Sequence, residues 1–223
     1  MGSTLEQQVQ QAEARWLEGW KNGPRRTRWT TIPLQVGDPA PSFDLADQHG
    51  RMVALSSLWS DGPALILFWR QYGCGCGLDR AKRLSDEFPE YVARGASVAI
   101  VGQGGPERAR AYAETYALPD VPILADEDGR VYQAYGLLEG RPSQLLYDAP
   151  ESWLDHDAET GLAFARDRRA QGRPPVDNPW LLPGEFVVDA GGNVVLAYRY
   201  NYCEDFPDPR LLYAALREAS RSR

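Results

Sequence analysis

Three apolar runs that alternate with helical patterns constrain the fold of this chain more than any other feature. A continuous apolar stretch lies at residues 64–69, and two further strands are predicted at the mostly apolar residues 97–101 and 122–126. Between them, residues 78–93 and 106–116 carry apolar side chains at helical spacing. A continuous apolar run is typical of a strand covered on both faces, and strands that alternate with helices form a parallel sheet. The pattern predicts a βαβαβ unit with helices on both faces of its sheet.

Two pairs of short strands flank this unit. Residues 42–45 and 52–55 surround one polar turn, and residues 185–189 and 194–198 surround a second turn that contains two glycines. The second hairpin adds antiparallel strands, and a last helix is predicted over residues 209–220. We therefore predict an α/β fold with a central mixed β-sheet flanked by helices. The 223 residues suffice for one core of this kind.

An N-terminal helical arm precedes the strands. Residues 4–22 have an apolar helical face that must dock on its own domain or on a partner subunit, which leaves a homodimer open. The predicted domain boundaries are an arm over residues 1–24 and one domain over residues 25–223. The apolar face of the arm contains Leu5, Val9, Ala12, Trp16 and Trp20.

A long insertion interrupts the domain before the last hairpin. Over residues 137–182 the periodicity weakens, and a single short helix is expected near residues 161–169. Segments of this length without regular structure are usually functional or disordered. Four aromatic side chains favour a packed cover instead of a loose tail. They are Tyr147, Trp153, Phe164 and Trp180.

Composition and charge exclude several classes of protein. The formal net charge of −7 argues against binding to a nucleic acid backbone. No window approaches the length of about 18 apolar residues that a membrane helix needs. The polar start of the chain does not resemble a secretion signal, so the cytoplasm is the expected compartment. Three cysteines are too few for a disulfide framework and indicate redox or metal chemistry.

Two of these cysteines lie in a glycine-rich turn that starts at Tyr72. The segment Gly73, Cys74, Gly75, Cys76 falls between a buried strand and a helix. A helix N-terminus presents free N–H groups and about half a positive charge, and both favour a thiolate. Such a thiolate attacks a disulfide, or a peroxide oxidises it to sulfenic acid. We predict Cys74 as the reactive centre, with Tyr72, Gly73 and Gly75 as supporting residues.

Neighbouring arginines and the remaining cysteines complete the candidate site. Arg70 and Arg80 would add positive charge beside Cys74. A disulfide between Cys74 and Cys76 would need an irregular turn, which the glycines allow, and its short loop would make it easy to reduce. Cys203 follows the last strand and is either a buried, inert thiol or a third redox cysteine that resolves oxidised Cys74.

Three segments carry a resemblance to a known family. Residues 36–43 look like a G-x-x-A-P-x-F opening, Gly73 and Cys74 stand at the attacking cysteine, and residues 183–189 match the entry into the fourth core strand. In these segments the chain resembles the thioredoxin superfamily, and within it the peroxiredoxin-like proteins of AhpC/TSA type. The similarity covers roughly residues 36–136 and 183–216.

The resemblance implies a thioredoxin-like fold and a thiol oxidoreductase that needs no cofactor. Its substrate would be a peroxide or a disulfide, and a thiol would reduce it. Cys74 would attack, Cys76 or Cys203 would resolve, and Pro183 would be a cis-proline that faces the reactive sulfur. The chain departs from peroxiredoxins in three places: Leu67 and Gln71 replace the usual proline and hydroxyl, and Pro183 replaces an arginine.

Two other functions remain open from the sequence. Cys74 and Cys76 could form a soft-metal module, for example for Cu(I), which thiolates favour. The available histidines, His49 and His156, have no metal-ligand spacing relative to the cysteines, so no metal site is predicted. A non-catalytic interaction protein that kept the fold is the third alternative.

Overall fold

The fold is described from a computed structural model. It covers residues 4–70, 72, 74–145, 155–172 and 177–221. In chain order the elements are α1 (Leu5–Asn22), β1 (Asp44–Ala46), β2 (Met52–Ala54), a 3₁₀ helix (Leu55–Trp59), β3 (Ala64–Phe68), α2 (Gly75–Ala93), β4 (Ser97–Gly102), α3 (Pro106–Thr115), β5 (Ile123–Ala125), α4 (Arg130–Ala134), α5 (Pro142–Leu145), α6 (Ala158–Ala170), β6 (Gly184–Val188), β7 (Val194–Arg199) and α7 (Pro209–Ala219).

The central sheet has five strands in the order β5-β4-β3-β6-β7. The β3, β4 and β5 strands are parallel, and β6 and β7 run antiparallel to their neighbours. This is the predicted mixed sheet, with the apolar run at residues 64–69 providing its middle strand. Because β3 lies in the middle, its carboxyl end is surrounded by other elements, and the cysteine turn starts there.

Each face of the sheet has its own core. Leu65 and Leu67 of β3 point to the core built with α2, α3 and α7. Ile66 and Phe68 point to the opposite core, which contains α4 and the 3₁₀ helix. Side chains of a strand alternate between faces, so a strand that is apolar throughout requires this cover on both sides.

The apolar face of α1 packs on the same chain. Trp16 and Trp20 are buried and stack on each other with ring centroids 5.4 Å apart. Trp20 also stacks on Trp180 at 5.1 Å, and Trp16 on Phe164 of α6 at 5.6 Å. The helical arm and the insertion therefore share one aromatic cluster. The domain boundaries at residues 24 and 25 remain a prediction.

The insertion is more regular than its sequence indicates. It contains α5 and a longer α6 than expected, which begins after Asp157, whose carboxylate accepts a hydrogen bond from the Thr160 N–H. Tyr147 and Trp153, predicted to pack over the domain, lie outside the described residues. Within the ranges given above, no helix combines the length and apolarity that a bilayer crossing requires.

Candidate active site

The cysteine turn continues directly into α2. The helix begins at Gly75, three residues earlier than the predicted start at residue 78, and Cys74 is its N-cap. The Gly77 N–H donates to the Cys74 carbonyl at 3.1 Å, which closes the first turn. Cys76 therefore lies within the first helical turn. The partial positive charge of the helix start favours a thiolate nearby, although the Cys74 side chain accepts no hydrogen bond from the helix N–H groups.

The fold brings all three cysteines together. The sulfur of Cys203 lies 3.9 Å from the sulfur of Cys74 and 3.5 Å from that of Cys76. The three Sγ atoms all lie within 4.8 Å of one another, and all three residues are buried. The Cys203 N–H donates to the Gln144 carbonyl at 2.9 Å, which ties this loop to α5. Cys203 is thus both buried and in contact with the cysteine turn, and its role as a redox cysteine stays a prediction.

Arg70 provides the positive charge at this cluster. Its Nη1 donates to the Cys74 sulfur at 3.1 Å, and its Nη2 donates to the Pro179 carbonyl. The Gln103 side chain donates to the Arg70 carbonyl and fixes its backbone. Arg70 is buried, so its charge acts on the thiols with little screening by water.

The electrostatics of the cluster separate the three thiols. Hydrogen bonds with Cys203 and Cys76, together with the charge of Arg70, hold the pKa of the Cys74 thiol well below its usual range despite burial. The hydrogen bonds with the other two thiols and burial raise the pKa of Cys76. The hydrogen bond with Cys74 raises the pKa of Cys203 to about 12. Only the Cys74 sulfur is therefore favoured as a thiolate at neutral pH.

An apolar cavity of about 270 Å³ leads to the cluster. It contacts Cys74, Cys76 and Cys203 at one end. Two buried N–H donors of its lining residues, Arg70 Nε and Trp16 Nε1, have no acceptor among the described residues. The other walls are Trp20, Pro142, Leu145, Phe164, Arg168, Pro179, Trp180, Gly75 and Glu204.

Pro183 does not have the predicted conformation. The described residues contain no cis peptide bond, so the prediction of a cis-proline is wrong. The Leu182 N–H donates to the Leu138 carbonyl at 3.0 Å, and the Pro183 carbonyl accepts from the Tyr200 N–H at 3.1 Å. These bonds on either side hold the chain extended into β6. Pro183 lines a second, small cavity together with Cys76 and Cys203.

Other predicted residues are placed differently from the expectation. Tyr72 packs on Tyr112, with ring centroids 4.9 Å apart, and does not line the cysteine cavity. Arg80 pairs with Glu185 at 2.8 Å in the core and is not a partner of Cys74. Gly75 starts α2 and lines the cavity. Gly73 lies outside the described residues.

Sequence reasoning missed the aromatic walls and Arg168. Arg168 lies on α6 and lines the cavity, and its charge favours the Cys74 thiolate. The regular spacing of Trp16 and Trp20 indicated a buried face, but nothing in the pattern indicated that this face would border the cysteines. The tryptophans of α1 lie beside the cysteines because the arm and the insertion pack together over the carboxyl end of β3.

The protein has a mixed sheet, and a cysteine stands at the start of the helix that follows the middle strand. This arrangement is that of a thioredoxin-like, peroxiredoxin-like protein. A sequence profile of the AhpC/TSA family matches residues 36–197, which is more than half of the chain. The chain belongs to the AhpC/TSA family, as the resemblance predicted.

Individual relatives agree with this family. Peroxiredoxin Bcp of Escherichia coli K12 is 30% identical over 105 residues, which are 47% of this chain and 66% of Bcp. The chloroplastic thioredoxin-like protein AAED1 of Arabidopsis thaliana is 25% identical over 142 residues, 61% of this chain and 57% of that protein. The matches thus span less than two thirds of either relative.

A solved structure shows the same fold. The crystal structure of peroxidoxin BcpB from Mycobacterium tuberculosis superposes with a TM-score of 0.58 and 21% identity. The superposition covers 85% of this chain and 99% of BcpB. Nearly all of BcpB therefore has a counterpart here, and the predicted thioredoxin-like fold is confirmed.

Proposed function

We propose that the protein is a thiol peroxidase in which Cys74 is the attacking cysteine and Cys203 resolves it. The observation that carries this proposal is the position of the Cys74 sulfur, at the start of α2, 3.1 Å from the Arg70 Nη1 and 3.9 Å from the Cys203 sulfur. The Cys74 sulfur thus has a positive charge that favours its thiolate and, in Cys203, a second thiol nearby. Family membership supports a peroxide as substrate and a thiol as reductant.

The reaction takes place in two steps at these sulfurs. The Cys74 thiolate attacks one peroxide oxygen, the O–O bond breaks, and the other oxygen leaves as alcohol or water after taking a proton. The Cys203 thiol then attacks the resulting sulfenic acid, which forms a disulfide and releases water. An external thiol supplies two electrons and returns both cysteines to the reduced state.

Arg70 takes over a task for which the family's usual residues are missing. Leu67 and Gln71 stand where peroxiredoxins carry a proline and a hydroxyl. Arg70 lines the cavity that leads to Cys74, and its Nη1 donates to the Cys74 sulfur. One guanidinium can therefore stabilise the thiolate and donate to the leaving peroxide oxygen, where negative charge develops.

Replacing Cys74 with serine tests the proposal. We expect the wild-type protein with a dithiol reductant to consume cumene hydroperoxide, and the Cys74→Ser variant to lose this turnover. A disulfide substrate in the same assay separates thiol–disulfide exchange from peroxide reduction. Undiminished turnover by the variant would remove Cys74 from the reaction. A Cys74 thiol that ionises in its ordinary range and does not react would favour the non-catalytic interaction protein.

The three-sulfur cluster also favours a second function, binding of a soft metal ion. Thiolates that hold a tetrahedral zinc ion at about 2.3 Å lie about 3.8 Å apart. The observed separations of 3.9 and 3.5 Å from Cys203 are close to this value. Reduced protein would be loaded with Cu(I) or Zn²⁺, desalted and analysed for metal. This function predicts one retained ion that Cys203→Ser abolishes, and an absence of retained metal contradicts it.

The expected compartment is consistent with both functions. Three cysteines that all remain free thiols suit a reducing environment such as the cytoplasm. The reductant would then be a cytoplasmic thiol, and the partners we propose are small molecules or reducing proteins.

A further inference from the structure

We propose that Cys76 completes an internal disulfide relay, in which the disulfide first formed between Cys74 and Cys203 is transferred to Cys76 and Cys203. This proposal rests on the proposed peroxidase function. It makes Cys76 a third catalytic residue with a task of its own, and it makes Cys203 the sulfur that both others share.

The geometry places Cys203 in contact with both partners. Cys74 and Cys76 belong to the same helix start, and Cys203 approaches them from the loop after β7. Its sulfur is nearer to Cys76, at 3.5 Å, than to Cys74, at 3.9 Å. A thiol that attacks a disulfide must reach one of its two sulfurs. Cys76 is therefore the nearer of the two thiols to the Cys203 sulfur.

Charge explains the order of the steps. In the reduced state the hydrogen bonds with Cys203 and Cys74, together with burial and the negative charge of Cys74, raise the pKa of Cys76, so Cys76 stays protonated. When Cys74 enters a disulfide, its negative charge disappears. Arg70, which is close enough for its charge to interact with all three thiols, then acts on Cys76 instead. Oxidation of Cys74 thereby favours ionisation of Cys76, the thiol that attacks in the next step.

The same electrostatics give the transfer its direction. The Cys76 thiolate forms a bond with the Cys203 sulfur, the Cys74–Cys203 bond breaks, and the electron pair leaves on Cys74. The proton of Cys76 goes to solvent, and no oxidant or reductant is consumed. A thiolate whose charge is stabilised is the better leaving group, and the Arg70 Nη1 donates to the Cys74 sulfur at 3.1 Å. The equilibrium therefore favours a Cys76–Cys203 disulfide and a free Cys74 thiolate.

The relay brings the oxidised bond to two cysteines that line both cavities. Cys76 and Cys203 line the second, small cavity beside Pro183, and Cys74 does not. After the transfer, Cys74 again faces the aromatic cavity as a thiolate. The disulfide then lies at the side of the site where Pro183 enters β6, and this is where a reductant would attack.

Disulfide mapping in the wild-type protein tests the relay without any variant. Reduced protein would receive one equivalent of cumene hydroperoxide, be quenched with acid and alkylated, and then be digested with trypsin. Cys74 and Cys76 share the peptide of residues 71–80, so fragmentation at Gly75 must assign each sulfur. We expect alkylated Cys74, and Cys76 joined to Cys203 in about tenfold excess over the alternative disulfide.

The outcomes distinguish the relay from the function on which it rests. A dominant Cys74–Cys203 or Cys74–Cys76 disulfide, or a lasting sulfenic acid, overturns the relay and leaves Cys74 as the attacking residue. If peroxide oxidises no cysteine, the proposed peroxidase function itself fails.

Two serine variants test the individual steps of the relay. In Cys76→Ser the Cys74–Cys203 disulfide cannot move on, and we expect it to become the main product. In the matched variant Cys203→Ser, Cys74 should remain a sulfenic acid that dimedone labels. A Cys76→Ser protein that folds and shows no Cys74–Cys203 bond contradicts the relay.

Discussion

Arg70 supplies a full positive charge beside Cys74, whereas the start of α2 by itself supplies about half of one. Its guanidinium is held at two points, by the Cys74 sulfur and by the Pro179 carbonyl. Because the cation is buried, water screens it little. The low pKa of Cys74 combines this charge with hydrogen bonds from Cys203 and Cys76, which are the larger cause.

Replacing Arg70 with glutamine is expected to raise the pKa of Cys74, since the substitution removes a charge that favours the thiolate. The midpoint of the pH profile for alkylation of Cys74 should move upward by about one unit, which lowers the rate about tenfold at pH values below the midpoint. The rate should recover as the pH rises above the new midpoint. Iodoacetamide alkylation followed by mass spectrometry at several pH values measures this.

The control for this variant is Arg166→Gln on the exposed side of α6. It removes the same charge far from any described contact with the cysteines and should leave the midpoint in place. A midpoint that also stays in place for Arg70→Gln would show that the helix start and the other thiols ionise Cys74 without the guanidinium.

Helix α6 determines the shape of the aromatic cavity. Phe164 stacks on Trp16 at 5.6 Å and on Trp20 at 6.1 Å, and it lines the cavity that leads to Cys74. The Trp20 Nε1 donates to the Asp157 carbonyl at 2.9 Å, which joins α1 to the start of α6. The apolar group of an organic hydroperoxide would pack against these rings, whereas hydrogen peroxide has no apolar group to make this contact.

We expect Phe164→Ala to weaken binding of bulky peroxides selectively. Loss of an aromatic contact of about 0.5–1.5 kcal/mol corresponds to a rise of about two- to tenfold in the KM for cumene hydroperoxide. The KM for hydrogen peroxide should change less. Steady-state kinetics with both substrates measure the ratio, and Phe88→Ala on α2, away from the cavity, serves as the control. Equal changes for both peroxides would count against a role of the rings in substrate binding.

At the scale of the whole molecule, the arm α1 is part of the packed structure. Asp177 joins it to the core, because its carboxylate binds Arg15 of α1 at 2.9 Å and the buried Arg108 of α3 at 3.0 Å. Glu13 of α1 pairs with Arg169 of α6. The buried tryptophans of α1 contribute most of the apolar surface at this contact, and such burial stabilises each side chain by roughly 2–3 kcal/mol.

Replacing Trp16 with alanine should weaken the packing of α1 on the rest of the domain. Deleting a buried aromatic side chain costs about 3–5 kcal/mol, so opening of α1 becomes far more frequent. We expect the initial rate of trypsin cleavage after the exposed Lys21 to rise by about a hundredfold, because cleavage follows the open population. Leu5→Ala, at an exposed position of the same helix, should change the rate little. An unchanged rate for Trp16→Ala would indicate that the ion pairs alone hold the arm.

Most elements could be predicted because their signals are local. The run at residues 64–69 needs cover on both faces wherever it lies, so its burial follows from composition alone. The start of α2 was placed too late, since Gly75 and Gly77 are poor helix formers and the observed start depends on how β3 delivers the chain. The prediction of a cis-proline at Pro183 was wrong, because hydrogen bonds that reach Leu138 and Tyr200, both distant in sequence, hold this segment.

The sequence was sufficient to determine the family, the order of strands and helices along the chain, and the position of Cys74 at a strand–helix junction. These features depend on periodicity and on a few neighbouring residues. The tertiary structure alone decided which groups surround that sulfur. Cys203 is 129 positions away, and the walls from α1 and α6 come from opposite ends of the chain. Such contacts form only when segments distant in sequence bury their apolar faces against each other. Local hydrophobic periodicity shows that a face is buried, but it does not specify which other face packs against it.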